Sequence, residues 1–95
     1  MKHCILVKWN NSVTDKSALV KEVRNIFLHL LTIEGIHDVK FHENVVDRPN
    51  RFDLMICIIM DKAALPVYDN SEPHHEWKEK YGKFVENKVI IDYEG

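Results

Sequence analysis

The chain has 95 residues, 45% of them apolar, with 13 Lys and Arg against 15 Asp and Glu, a formal net charge of −2, and only three Gly and three Pro. At this length folding buries roughly 60–65% of the unfolded-chain surface, enough for one modest core and no second, so residues 1–95 are read as a single domain. The mixed charges offer no basic surface for nucleic acid, no stretch reaches the ~20 apolar residues that span a bilayer, and "MKHCILVKWN" lacks a signal cleavage pattern, so the expected location is cytoplasmic, with neither nucleic acid nor membrane as partner.

Residues 2–9 alternate, with His3, Ile5, Val7 and Trp9 on one face and Cys4, Leu6 and Lys8 on the other, which is the period of a strand. "NNSVTD" is turn chemistry ending in Thr14 or Asp15 as a helix N-cap. Leu19, Val20, Val23, Ile26, Phe27, Leu30 and Leu31 then recur at three- and four-residue spacing, predicting a helix to about Thr32. Gly35 leaves it. Residues 36–45 alternate Ile36, Asp38, Lys40 and His42 against His37, Val39, Phe41, Glu43 and Val45, a second half-buried strand. "VDRPN" turns the chain into "RFDLMICIIM", apolar on both faces from Leu54 to Met60. Asp61 opens a helical stretch that Pro66 and Pro73 divide into a short piece and a longer one, and "ENKVIIDYE" supplies the last strand.

The order β-α-β-β-α-β predicts an α+β, ferredoxin-like domain, an antiparallel four-stranded sheet with helices on one face. The other face is left bare, yet Met55, Cys57 and Ile59 point there. At about 25 cal/mol per Å² of apolar area, exposing such a face is unfavourable enough that a soluble protein covers it. With no third layer in the chain, the economical cover is the same face of a second copy, so a homodimer is expected. Cys4 and Cys57 both lie inside apolar runs and are read as buried reduced thiols rather than a redox couple.

"KHCILVKW", "FHENVV", "RFDLMICIIMD", the spacing from Tyr68 to His74 and the closing "VIIDYE" occur here in an order that resembles the stress-responsive A/B barrel domain, Dabb, of the dimeric α+β barrel superfamily. The resemblance covers essentially the whole chain. It implies two ferredoxin-like protomers with sheets face to face, and a small pocket in each between sheet and helices. Members commonly carry Y-x-x-x-x-x-H, matched by Tyr68 and His74, with an aromatic three residues on, matched by Trp77. The usual proline two residues before that histidine is replaced by Glu72, and Pro73 immediately precedes His74, so either His74 or His75 takes the role. Lys2 and His3 match a K-H pair found in some members.

A histidine with an unperturbed pKa near ~6.5 can act as base and then acid, while a tyrosine hydroxyl orients it or a substrate oxygen. Plant polyketide cyclases that resemble this family use a pocket His and Tyr in this way, so His74 and Tyr68 are the candidate catalytic residues. His3, Ile5, Val7, Trp9, Ile56, Ile58 and Trp77 are the candidate ligand-binding residues, for a small apolar or carbonyl-containing molecule. The first helix offers Ile26, Phe27 and Leu30 and no hydroxyl to grip a polyketide tail. The same residues have a structural reading. Tyr68 can close the core, His74 can sit at a helix start, and His3 can be a core or edge histidine; the protein is then a non-catalytic binding or structural dimer. The superfamily also contains haem-degrading and cofactorless monooxygenases, but no axial ligand stands out beyond these histidines. "EPHHE" is a weak metal signal, because adjacent histidines point about 100° apart on a helix. Neither metal nor cofactor is expected. Trp77, Tyr81 and Phe84 recur at helical spacing and are read chiefly as core or dimer contacts.

Overall fold

A computed structural model describes residues 1–95. Strand β1 (Lys2–Trp9) leads into helix α1 (Lys16–Leu28), which tightens into a 3₁₀ turn at His29–Thr32. Strands β2 (Ile36–Glu43) and β3 (Leu54–Met60) follow, then a 3₁₀ turn at Lys62–Ala64, helices α2 (Leu65–Asp69) and α3 (Glu72–Tyr81), a 3₁₀ turn at Gly82–Phe84, and strand β4 (Val85–Tyr93). Asp15, rather than Thr14, caps α1, its carboxylate accepting the Ala18 N–H at 3.0 Å.

All strand pairs are antiparallel and the sheet order is β2-β3-β1-β4, the ferredoxin-like arrangement, so β1 is central and β2 and β4 form the edges. Strict alternation put Ile36 on the face of Asp38, but the register shifts between those two residues and Ile36 turns inward with Val39, both buried. A bulge adds one residue to one strand and so inverts the faces on either side of it. Strand β2 ends at Glu43, leaving Val45 outside the sheet and exposed.

Gly35 makes the turn into β2 at φ +91°, a left-handed conformation that costs any residue with a Cβ. Its carbonyl accepts the Asp61 N–H at 2.7 Å, and an added Cβ would stand 3.0 Å from that of Ala64. At the other end of the sheet, Asp53 accepts the Trp9 N–H and the Lys16 ammonium, each at 2.8 Å, tying β3 to β1 and to the start of α1.

The helices cover the face carrying Ile5, Val7, Trp9, Ile56, Ile58 and Met60, which pack with Leu19, Val23, Phe27, Leu30, Tyr68 and Trp77 in one core. Coverage stops short of β4, where Ile90, opposite Ile5 and on the helix side, is 49% exposed. A groove therefore runs along the α3–β4 edge. On the far face Leu6, Met55 and Ile59 are half-buried, and Val89, Ile91 and Tyr93 are exposed, a contiguous apolar surface that no part of the chain covers. No helix is long and apolar enough to cross a membrane.

Cys4 and Cys57 lie on that far face, directly opposite each other in β1 and β3, with sulfurs 2.7 Å apart. The Met60 N–H to Met1 carbonyl bond fixes the alternation of the ladder, and counting from it makes Cys4–Cys57 a non-hydrogen-bonded pair, the kind with the closer side chains. Both are free and buried, and burial together with the neighbouring thiol pushes the Cys57 thiol up.

Candidate functional site

The break between α2 and α3 builds the site. Pro66 and Pro73 each stand in the first turn of a helix, where a missing N–H costs nothing. Between them Ser71 caps α3, accepting the His74 N–H at 3.3 Å while its hydroxyl donates to the Tyr68 carbonyl at 2.7 Å. One serine thus fixes both candidate catalytic residues to a single turn of backbone.

His74 lies against Tyr68 with ring centroids 4.7 Å apart, and its Nδ1 stands 2.9 Å from the Asp69 carbonyl oxygen. A carbonyl can only accept, so Nδ1 carries the proton and Nε2 is left with its lone pair. Partial burial, with the Lys78 and Lys88 charges assisting, lowers the His74 pKa from the ordinary histidine value against the opposing pull of the Asp69 carbonyl. The ring is therefore neutral at pH 7, with a basic nitrogen available. His75 is exposed and turned away, its ring 6.2 Å from that of His74. The displaced proline thus leaves His74, and not His75, against Tyr68.

Tyr68 is 1% exposed; burial first, and the Asp69 and Asp92 charges after it, push its hydroxyl well above the ordinary phenol range. The hydroxyl therefore keeps its proton at any physiological pH. On its other side His3 meets it edge-on at 5.2 Å, and the His3 Nδ1 hydrogen-bonds the Asp92 carboxylate. Asp92, Tyr68 and the two histidines form a continuous cluster spanning β4, β1, α2 and α3. Asp92 was not singled out in the sequence; its signal was a lone acid in the otherwise apolar "VIIDYE", on the alternation shared with Lys88 and Ile90.

The remaining candidates divide. Ile5, Val7, Ile56 and Ile58 are packed in the core, and none of the five principal cavities borders them. Trp9 and Trp77 meet edge-on at 6.2 Å, and each borders a cavity. The buried Trp9 Nε1 has no hydrogen-bond partner. A cavity of about 1060 Å³ lies on the outer side of α2 and α3, against His29 and Thr32, and neither Tyr68 nor His74 borders it. A smaller one, about 230 Å³, lies in the α3–β4 groove between Trp77, Lys78, Val85 and Lys88; His74 and Tyr68 do not border it either, and Lys78, four residues after His74 on α3, is the link between the two. No three His, Cys, Asp or Glu side chains converge in a way that could hold a metal ion.

The family model for the Stress Responsive A/B Barrel Domain, Dabb, matches residues 1–95. The chain belongs to the Dabb family. No curated protein matches it in sequence. Among solved structures, the chain resembles the crystal structure of At3g17210 from Arabidopsis thaliana, with a TM-score of 0.79 at 17% identity over 99% of this chain and 93% of that one. A dimeric ferredoxin-like protein of unknown function from Thermobifida fusca superposes with a TM-score of 0.79 at 16% identity, over 97% and 87% of the two chains. The hydroxynitrile lyase of Passiflora edulis does so with a TM-score of 0.74 at 14% identity, over 97% and 89%. At such identities the likeness concerns the fold alone.

Proposed function

We propose that this single-domain Dabb chain is a homodimer, joined through the open sheet face, that binds a small carbonyl-containing molecule at the α3–β4 edge and moves a proton on it with His74. The observation that carries the reading is the His74 ring itself. Its Nδ1–H is committed to Asp69, its Nε2 is free, and it rests against a buried tyrosine that stays protonated.

A lyase-type step follows from these groups. Nε2 takes the hydroxyl proton of an α-hydroxy compound, the carbon–carbon bond breaks as the carbonyl forms, and the departing carbanion recovers that proton from the imidazolium. Run in reverse, the same cycle joins a carbon nucleophile to a carbonyl, the elementary step of a cyclase. Tyr68 donates to the substrate oxygen, and the His3–Asp92 pair holds the wall behind Tyr68. The lyase among the structural neighbours is in keeping with this chemistry, though at 14% identity it bears on fold and not on substrate.

A second reading, binding without turnover, draws on the close burial of Tyr68 and His3, 1% and 5% exposed. The two are separated by assaying cyanohydrin cleavage and aldol-type closure of small diketones with the wild type, His74→Gln and His75→Ala. Loss of turnover in His74→Gln alone, with folding and assembly kept, supports proton transfer. Equal turnover in all three proteins overturns it, and binding with no turnover in any favours the second reading.

A further inference from the structure

The α3–β4 groove contains two cations that the proton-transfer reading leaves unused. Lys78 follows His74 by four residues on α3, the spacing at which helical side chains become neighbours. Lys88 lies opposite Val7 in the β1–β4 ladder, which puts it on the helix side of β4, facing α3. Together they flank the cavity of about 230 Å³ floored by Trp77 and Val85. None of the chain's ion pairs involves either one, whereas Lys8, Lys16 and Lys80 are matched with Glu86, Asp53 and Glu76.

We propose that Lys78 and Lys88 form a carboxylate-binding subsite beside His74, so that the substrate is a short carbonyl compound carrying its own negative charge, a keto acid or hydroxy acid. This rests on the proton-transfer reading of His74 and names the substrate class for it. The size of the cavity agrees, because drug-sized ligands occupy roughly 300–1,000 Å³, while about 230 Å³ suits the acid end of a short chain. Two ammonium groups flanking one cavity bind a carboxylate through charge-assisted hydrogen bonds, and because both lysines are exposed that attraction is screened by salt. The arrangement sets the carbonyl toward His74 and Tyr68 once the acid end is anchored.

The charges of both lysines reach His74 and hold its pKa down, while Asp69 opposes them; His3, Asp92 and Tyr68 complete the titratable groups on the facing elements. A carboxylate bound between the lysines offsets their field, so an anionic ligand raises the titration midpoint of His74 and a neutral one does not.

The test uses the full chain, NMR detection of the histidine rings, and two probes, 4-oxopentanoate and its neutral methyl ester. The expected result is that the acid binds, raises the His74 midpoint, and loses affinity by about tenfold or more in the Lys78→Gln/Lys88→Gln double variant. The Lys78→Arg/Lys88→Arg variant keeps that affinity, and added salt weakens it. Equal binding of acid and ester, or of the acid by wild type and the Gln variant, overturns the subsite, as does no binding of the acid at millimolar concentration. The subsite and the chemistry fail separately. If His74→Gln abolishes turnover while acid and ester are used alike, the proton-transfer reading stands without the carboxylate subsite; lysine-dependent binding with turnover indifferent to His74 is the converse.

Discussion

Tyr68 and His74 lie with ring centroids 4.7 Å apart, at 53° to one another, on opposite sides of the break between α2 and α3. Neither helix could present both residues in this way. The pair exists because the chain stops one helix and starts another within two residues, and Ser71 binds to the backbone of each side.

The His74 ring titrates below the ordinary histidine value of about 6.5, since partial burial and the nearby lysines disfavour its charged form. The unfolded chain then takes up the proton at higher pH than the folded one. The contribution of His74 to stability is complete above about pH 6.5 and declines as pH falls from there through the depressed folded value. Urea titrations of wild type and His74→Gln across mildly acidic pH check this: the variant loses part of the acid sensitivity. An unchanged pH profile counts against the neutral, partly buried ring.

Ser71→Ala removes the cap of α3 and costs about 1 kcal/mol in chemical denaturation. Ser71→Asp restores the acceptor for the His74 N–H but not the donor to the Tyr68 carbonyl. The Asp variant therefore recovers most of the stability, while its His74 and Tyr68 ring resonances still differ from wild type. Identical aromatic spectra in all three proteins would refute the positioning role.

Ile59→Lys puts a charge on the open face, on β3 two residues from Cys57 and opposite Lys2 of β1. If that face joins two copies, an unpaired buried ammonium destabilises the assembly by several kcal/mol. Sedimentation should then give a dimer for the wild type at micromolar concentration and a monomer, or loss of fold, for the variant. A wild-type monomer at that concentration removes the dimer reading.

Gly35→Ala tests the turn into β2. At φ +91° a Cβ is strained by itself, and here it also meets Ala64 at 3.0 Å. A loss of about 1–2 kcal/mol follows from the backbone alone. The companion Ala64→Gly, added to Gly35→Ala, relieves the contact but not the strain, so it recovers only part of what its own helix penalty allows. Gly82→Ala, where a Cβ meets nothing within 4 Å, is the neutral control.

Much of the fold was legible because period and punctuation agreed along the chain. The two-sided apolar run Leu54–Met60 announced the open face. What failed to show locally had a common cause, the dependence of a side chain's surroundings on another strand or on helix phase. Ile36 needed the register shift with β3, which no alternation pattern carries. The choice between His74 and His75 needed the phase of α3, and a single residue changes that by about 100°. Asp92 and Lys88 acquired meaning only when β4 was set against β1.

The His3–Asp92 hydrogen bond joins residues 89 positions apart, across the first and last strands of the chain. Synthesis runs at roughly 5–20 residues per second, so β1 waits several seconds for β4, with one edge of the central strand unpaired meanwhile. Closing so long a loop also adds an entropic cost that grows with the logarithm of its length, and contacts of this separation slow folding. The acid of the cluster is thus among the last side chains to arrive. A chain stalled before β4 docks holds Tyr68 and His74 on their local turn but has no Asp92 opposite His3 and lacks the Val85 and Lys88 side of the groove, which makes the complete site a marker of a completed sheet.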